Sequence, residues 1–243
     1  MHCVAATDRK SRHWMLRGLA AGIICLAAGT GSHATACATA ESDPSCPYVE
    51  VVFARGTFEA PGVGETGQAF VDALTSRLGD KAVDVYAVNY PASLNFDDAA
   101  QGVVDAGNEV EAIAANCPRT KIVLGGYSQG AAVAGYTTTD SVPPDYVLPA
   151  GITGPMPAAI APHVAAVTLF GKPSNGFLDL VDRSAPPITI GQLYSAKTIE
   201  LCAPGDPVCG GGLSRAAHSE YKSNGMAEQA ADFTARALSS SPM

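Results

Sequence analysis

Apolar and polar positions follow two alternating periodicities along the chain. Short runs rich in Val, Ile, Leu and aromatic residues predict five strands, at 49–55, 83–90, 121–127, 165–170 and 196–201. Longer alanine-rich stretches with apolar residues at helical spacing predict helices at 67–78, 97–116, 129–138 and 219–238. Because the strand segments are apolar throughout, helices are expected on both faces of their sheet. The alternation predicts an α/β fold with parallel strands and crossover helices.

A single domain is predicted for residues 41–243. No internal repeat and no linker rich in Pro, Gly or Ser divides this part of the sequence, and a content of 47% hydrophobic and 16% charged residues is typical of one globular domain. Prolines interrupt the segment 141–162, which we interpret as a surface loop. Since five strand-helix units use nearly all of this length, we expect no cap domain.

Residues 1–36 have the features of a secretory signal peptide. Basic residues between positions 9 and 17 precede the apolar stretch 18–28, and small residues at 34–40 allow cleavage as late as residue 40. The alternative is a membrane anchor, but the uncharged stretch is too short to span a bilayer. We therefore expect a secreted protein, extracellular or associated with the cell wall, with no stable membrane span.

The charge balance bears on the partners of the exported chain. The full sequence has 15 Lys and Arg against 23 Asp and Glu, a net charge of −8. Cleavage removes four basic residues and one acidic residue, which takes the net charge to −11. A surface this acidic repels phosphate groups, so we expect no nucleic-acid partner and no electrostatic attraction to anionic lipids.

Export to an oxidising compartment favours disulfides over metal ligation for the cysteines. Cys46, Cys117, Cys202 and Cys209 remain wherever cleavage falls, whereas Cys37 remains only after cleavage at residue 36, as an odd or lipidated thiol. Cys202 and Cys209 are separated by six residues and have no histidine beside them, which disfavours a zinc site. No metal is predicted.

Ser128 lies in a Gly-x-Ser-x-Gly pattern, with Gly126 and Gly130 on either side. It follows a predicted strand and opens a predicted helix, which is the setting of a nucleophile elbow. A sharp turn there exposes the hydroxyl, glycine lets neighbouring backbone approach, and the N-terminus of the helix faces the reaction centre. The alternative, an ordinary Gly-Ser turn, is disfavoured by this strand-turn-helix context.

A nucleophilic serine needs a histidine base and a carboxylate that orients the base. His163 and His218 follow Ser128 in the chain, but His163 precedes a predicted strand and is expected at the opposite edge of the parallel sheet. His218 is therefore the predicted base. Asp206 lies in a loop after the last predicted strand and shortly before His218, which favours it as the acid over the alternative of a β-turn residue.

Four motifs together resemble the cutinase family of secreted serine esterases. They are "VVFARGTFE" at 51–59, "GYSQG" at 126–130, "CAPGDPVC" at 202–209 and "HSEY" at 218–221. The resemblance extends over nearly all of the chain after the signal segment. It implies a small single-domain α/β-hydrolase with a five-stranded parallel sheet.

The resemblance also implies roles for individual residues. It gives a catalytic triad of Ser128, Asp206 and His218. The same three residues follow from the order of residues along the chain and from the edge of the sheet at which each is expected. Its oxyanion hole uses the residues that correspond to Thr57 and Gln129. Family members often have serine at the first of these positions, so the methyl group of Thr57 is a departure that narrows the site beside the scissile carbonyl.

The family's two disulfides correspond to Cys46 with Cys117 and Cys202 with Cys209. We expect a monomer whose partner is an ester or lipid substrate, of short to medium chain length or part of a polyester. Hydrolysis is expected to run through an acyl-enzyme on Ser128 without any cofactor. One alternative is a phospholipase or acyltransferase with the same triad. A non-catalytic binding protein on a hydrolase scaffold is a further alternative, which the complete triad disfavours.

Overall fold

A parallel β-sheet organises the chain in the computed structural model, which describes residues 45–144 and 146–240. The five strands are β1 (Val49–Ala54), β2 (Val83–Ala87), β3 (Lys121–Tyr127), β4 (Val164–Phe170) and β5 (Thr198–Leu201). Their order across the sheet is β2-β1-β3-β4-β5, and every neighbouring pair is parallel. The five predicted strands are confirmed, with ends shifted by a few residues. The predicted signal peptide, residues 1–36, and Cys37 lie outside the described residues.

Seven α-helices belong to the described part of the chain. They are α1 (Gly64–Leu78), α2 (Ala99–Asn116), α3 (Gln129–Thr137), α4 (Asn175–Val181), α5 (Gln192–Ser195), α6 (Arg215–Ser219) and α7 (Met226–Ser240). The predicted helices at 67–78, 97–116 and 129–138 correspond to α1, α2 and α3. The short helices α4, α5 and α6 were not predicted.

The core lies on both faces of the sheet because successive side chains of a strand point in opposite directions. On one face, Val51 and Phe53 of β1 belong to a buried cluster with Phe70 of α1 and Ala230 of α7. On the other face, alternate strand residues pack with α2 and α3, in a cluster that includes Val110. Every residue of β4 is buried. The prediction of a doubly covered sheet is thus confirmed.

The predicted C-terminal helix at 219–238 is wrong at its start. The chain leaves α6 at Ser219, turns, and enters α7 only at Met226. Gly225 adopts a φ of 85°, which glycine tolerates far better than other residues, and the side chain of Asn224 accepts a hydrogen bond from the Met226 amide at 3.0 Å. This turn places Tyr221 in the core, with no exposed surface.

Two disulfides are present among residues 45–144 and 146–240, and both match the predicted pairing. Cys46 bonds to Cys117, which ties the segment before β1 to the end of α2. Cys202 bonds to Cys209 and closes a short loop directly after β5. The second loop contains Asp206.

The segment 141–162 contains no long element among its described residues. A 3-10 helix, Ala158–His163, ends it and leads directly into β4. This agrees with the prediction of a proline-interrupted loop. None of the helices in the described residues is long and apolar enough to cross a membrane.

Candidate active site

Ser128 occupies a sharp turn between β3 and α3. Its backbone has φ 55° and ψ −118°, a conformation that side chains with a Cβ atom rarely adopt. The Ser128 amide donates a hydrogen bond to the Phe170 carbonyl at the end of β4, at 2.8 Å. The turn is therefore held by the sheet itself, at the carboxyl edge of its central strands.

The two glycines of the motif permit this turn through close backbone contacts. A Cβ atom at Gly126 would lie 2.0 Å from the Gly130 carbonyl oxygen, and one at Gly130 would lie 2.0 Å from the Ala54 carbonyl oxygen. Any larger residue would push α3 away from β1 and β3. The spacing of the Gly-x-Ser-x-Gly pattern thus has a direct steric cause.

His218 connects Ser128 to Asp206 through two hydrogen bonds of equal length. Its Nε2 lies 2.8 Å from Ser128 Oγ, and its Nδ1 lies 2.8 Å from Asp206 Oδ2. An ionised carboxylate only accepts hydrogen bonds, so Nδ1 carries a proton and Nε2 is free to accept the serine proton. The structure brings together the three side chains that the sequence predicted.

Asp206 is fully buried at the inner end of this series of hydrogen bonds. Besides His218, it accepts hydrogen bonds from the Tyr221 hydroxyl at 2.6 Å and the Val208 amide at 2.7 Å. Burial alone would raise the pKa of Asp206, but these three hydrogen bonds outweigh it and hold the pKa below its ordinary value. The carboxylate therefore remains ionised where it faces His218.

Tyr221 was not assigned a role by sequence reasoning, although it ends the motif at 218–221. Its hydroxyl donates to Asp206, accepts from the Ala203 amide at 3.0 Å and lies 3.3 Å from the sulfur of Cys209. Burial and the bond to Asp206 raise the pKa of Tyr221, which keeps the hydroxyl protonated as a donor. Both Tyr221 and His218 thus donate to the same carboxylate oxygen.

Tyr127, beside the nucleophile, holds the histidine from the other side. Its hydroxyl donates to the His218 carbonyl at 2.5 Å, and the two rings lie 5.1 Å apart. Gly171 lies against the imidazole, because a Cβ atom there would be 3.1 Å from His218 Cε1. The imidazole is thereby confined between β3 and the end of β4.

His163 lies where the edge argument predicted it. It ends the 3-10 helix that precedes β4, at the amino edge of the sheet, whereas Ser128 follows the carboxyl end of β3. The two residues are separated by the length of a strand. His163 therefore takes no part in the cluster around Ser128.

Thr57 and Gln129, the predicted oxyanion residues, follow neighbouring strands. β1 and β3 pair up to Ala54 and Gly126, so the loop with Thr57 begins beside the elbow. Gln129 is the first residue of α3, and amides in a first helical turn have no intrahelical acceptor. The Gln129 side chain donates to the Ser93 carbonyl at 2.9 Å and thereby fixes the loop after β2 against the elbow.

The loop that carries Thr57 is clamped by two charged residues which sequence reasoning did not single out. Arg55 is buried and donates to the carbonyls of Glu59 at 2.9 Å and Tyr90 at 2.6 Å. The Glu59 carboxylate accepts from the Gly56 amide at 2.6 Å and from the Glu65 amide at 2.8 Å. Thr57 therefore lies in a loop whose two ends are tied by charge-assisted hydrogen bonds.

Cys202, Asp206 and Cys209 are close enough in space to resemble a metal site. The two sulfurs are joined in a disulfide, so neither offers a thiolate. The Asp206 carboxylate already accepts three hydrogen bonds. We interpret this cluster as the support of the acid residue and not as a metal centre.

The sharp turn from β3 into α3, with Ser128 between two glycines, is the nucleophile elbow of an α/β-hydrolase. The family model described as Cutinase matches residues 45–238. The chain belongs to the cutinase family.

Individual relatives agree with this family. The chain is 53% identical over 175 residues to a probable carboxylesterase, Culp5, of Mycobacterium tuberculosis, covering 72% of this chain and 98% of that protein. It is 44% identical over 190 residues to the phospholipase Culp4 of Mycobacterium tuberculosis, covering 78% of each. A Trichoderma reesei cutinase solved with a phosphonate inhibitor has a TM-score of 0.59 and 30% identity, covering 79% of this chain and 77% of that one.

Proposed function

We propose that the protein is a serine esterase in which Ser128 is the nucleophile, His218 the general base and acid, and Asp206 the carboxylate that orients the histidine. The observation that carries the proposal is the unbroken chain of 2.8 Å contacts from Asp206 through His218 to Ser128 Oγ. Membership of the cutinase family and the carboxylesterase among its relatives support it.

The reaction follows from the positions of these groups. His218 Nε2 takes the hydroxyl proton as Ser128 Oγ attacks the ester carbonyl, and the amides of Thr57 and Gln129 stabilise the oxyanion. Protonated His218 then gives that proton to the departing alcohol, which leaves an acyl-enzyme on Ser128. His218 next removes a proton from water, the water attacks the acyl-enzyme, and the carboxylic acid departs while Ser128 regains its proton.

The surroundings of the site favour apolar esters. Three large apolar side chains are strongly exposed in loops that follow the carboxyl ends of strands, the edge at which Ser128 lies: Phe58 (75%), Leu94 (76%) and Leu213 (97%). Exposed apolar side chains grouped at one edge mark a surface that contacts an apolar partner. We infer that esters of aliphatic acids, free or in a lipid or polyester, are the substrates.

The nucleophile is tested with a fluorophosphonate probe and p-nitrophenyl butyrate. We expect the probe to label Ser128, and Ser128→Ala to lose labelling together with ester hydrolysis, by a factor on the order of 10⁴ or more. His163→Ala, at the opposite edge of the sheet, is the matched control and should retain both. Substantial hydrolysis by Ser128→Ala would refute the serine mechanism.

Phospholipase activity is the second candidate, because a phospholipase is among the relatives with high identity. The same triad would attack an ester bond of a phospholipid. Incubation with phosphatidylcholine vesicles and separation of the products distinguishes this activity from hydrolysis of simple esters. An added alcohol acceptor in the same assay detects acyl transfer through the appearance of a new ester.

We further propose that the protein is secreted and monomeric. Its two disulfides support an oxidising compartment, since such bonds rarely persist in the cytosol. N-terminal sequencing of the protein recovered from culture supernatant should give a start after residue 36 or residue 40. Light scattering of the same sample should give the mass of one chain.

A further inference from the structure

An apolar groove runs along one flank of the fold, between α2 and the proline-rich segment before β4. Its volume is about 940 Å³, which lies in the range of ligand sites. The apolar residues that line it include Val103, Val104, Tyr136, Leu148, Ile152 and Met156. Ser128, Asp206 and His218 are not part of this lining, so the groove is distinct from the triad.

The walls of the groove are packed against the rest of the fold. Gly151 lies so close to α2 that a Cβ atom there would be 3.2 Å from Val104 Cγ2. On the other wall, the Tyr136 hydroxyl donates to the Pro186 carbonyl at 2.5 Å. The groove is therefore formed before any ligand arrives, which lowers the entropic cost of binding.

The charges around the groove restrict its ligand. Among the described residues that line it, the charged ones are Asp97, Glu111 and Asp182, and no Lys, Arg or His is present. A carboxylate or phosphate bound there would face these acidic groups without a cationic partner. An uncharged aliphatic chain has no such penalty and gains from burial against the apolar walls.

Phe96 and α3 connect the nucleophile with the groove. Phe96 lines it and also packs against the small cluster that contains Ala132, one turn after Ser128 in α3. Tyr136 lines it eight residues after Ser128, which is about 12 Å farther along the helix axis. Ser93, three residues before Phe96, accepts the hydrogen bond from Gln129. The groove thus leads away from the elbow along α3.

We propose that this groove binds the long, uncharged acyl chain of an ester whose carbonyl lies at Ser128. The proposal rests on the proposed esterase function and extends it, because it assigns a preference for long aliphatic chains to residues outside the triad. The segment 141–162, which the sequence predicts only as a surface loop, supplies much of one wall.

Gly107 offers a way to fill the groove without disturbing the fold. It lies in α2 and lines the groove, and a Cβ atom there would meet nothing within 4 Å. In Gly107→Phe we expect the ratio of kcat/KM for p-nitrophenyl palmitate to that for p-nitrophenyl butyrate to fall by about tenfold or more. Ala112→Phe places the same ring on an exposed position of α2 outside the groove and should leave the ratio unchanged.

A binding measurement separates this inference from the esterase function. In the Ser128→Ala background, fluorescence titration with methyl pyrenedodecanoate should show binding that Gly107→Phe weakens about tenfold. As competitors at pH 8, the monomethyl ester of hexadecanedioic acid, whose free carboxylate would lie in the groove, should bind about tenfold more weakly than methyl palmitate. An unchanged palmitate to butyrate ratio in Gly107→Phe, or equal binding of the two competitors, overturns the inference. Hydrolysis of p-nitrophenyl butyrate by Ser128→Ala would instead overturn the role of Ser128 as nucleophile, and a wild-type protein that hydrolyses neither ester would overturn the esterase function.

Discussion

Replacement of Tyr221 by phenylalanine separates the electrostatic part of the site from its packing. The change keeps the buried ring and removes one hydroxyl, which donates to Asp206 at 2.6 Å and accepts from the Ala203 amide at 3.0 Å. Because Tyr221 and His218 donate to the same oxygen of Asp206, the lost bond concentrates negative charge where the histidine binds. Protonated His218 is then stabilised, so a higher pH is needed before the histidine can act as the base.

The size of the effect follows from the bond that is lost. A hydrogen bond to a charged group contributes about 1.5 to 3 kcal/mol, and about 1.4 kcal/mol corresponds to one pH unit. If about half of this free energy is transmitted to the histidine, the acid limb of the kcat/KM profile moves to higher pH by roughly half a unit to one unit. The free energy of unfolding should also fall by about 1 to 3 kcal/mol, since the Ala203 amide loses its buried acceptor.

Two measurements test this reasoning. The pH dependence of kcat/KM for p-nitrophenyl butyrate reports the acid limb, and urea unfolding reports the stability. Tyr127→Phe is the matched control, because it removes a hydroxyl bonded to the His218 carbonyl and not to the carboxylate, and it should leave the acid limb in place. If Tyr221→Phe lowers stability but its acid limb coincides with that of the wild type, Tyr221 has only a structural role.

Three further predictions concern other parts of the fold. His218→Ala should lose ester hydrolysis while His163→Ala keeps a near-normal rate, and the reverse result in a kinetic assay would contradict the role given to the 2.8 Å contacts. The double variant Cys202→Ser with Cys209→Ser should lower kcat/KM but remain folded by circular dichroism, because this disulfide closes the loop that contains Asp206. The double variant Cys46→Ser with Cys117→Ser should chiefly lower the free energy of unfolding, by about 2 to 5 kcal/mol. Equal losses of activity in the two variants would contradict these separate roles. Burial, Glu109 and Asp84 raise the pKa of Glu50 from 4.5 to about 7, so the contribution of Glu50 to the free energy of unfolding should fall as pH rises from 4.5 to 7. In urea unfolding at pH 8, Glu50→Gln should have a free energy of unfolding roughly 1 to 2 kcal/mol above that of the wild type. No gain in this variant would refute the raised pKa.

Sequence reasoning succeeded where a local pattern has a local cause. The apolar runs predicted every strand of the sheet, because a sheet covered on both faces requires such runs. The elbow at Ser128 was predicted because its close backbone contacts require glycine two residues before and two residues after the serine, and this pattern is visible in the sequence. The position of His163 at the amino edge of the sheet was predicted correctly because it depends only on the direction of the parallel strands.

The features that the sequence did not predict depend on contacts between segments that are distant along the chain. Arg55 and Glu59 are charged residues of a kind that usually face solvent, and the backbone carbonyls of Glu59 and Tyr90 that let Arg55 be buried come together only in the folded chain. The predicted helix at 219–238 overlooked the turn at Gly225, and with it the position of Tyr221 beneath Asp206. The short helix α4 carries too few residues for a helical period to be recognised in the sequence.

The proposed catalytic residues and the residues proposed to select the length of the acyl chain lie on different elements of this fold. The three residues of the triad follow β3 and β5, and their positions are fixed by hydrogen bonds to Tyr127, Tyr221 and the neighbouring strands. The groove is formed by α2 and the proline-rich segment before β4, neither of which supplies a triad residue. Substitutions in that segment can therefore alter which acyl chain is accepted without displacing Ser128 or His218. Loops tolerate such changes more readily than the strands they connect, so the acyl-chain preference of this protein should be open to change through this wall alone.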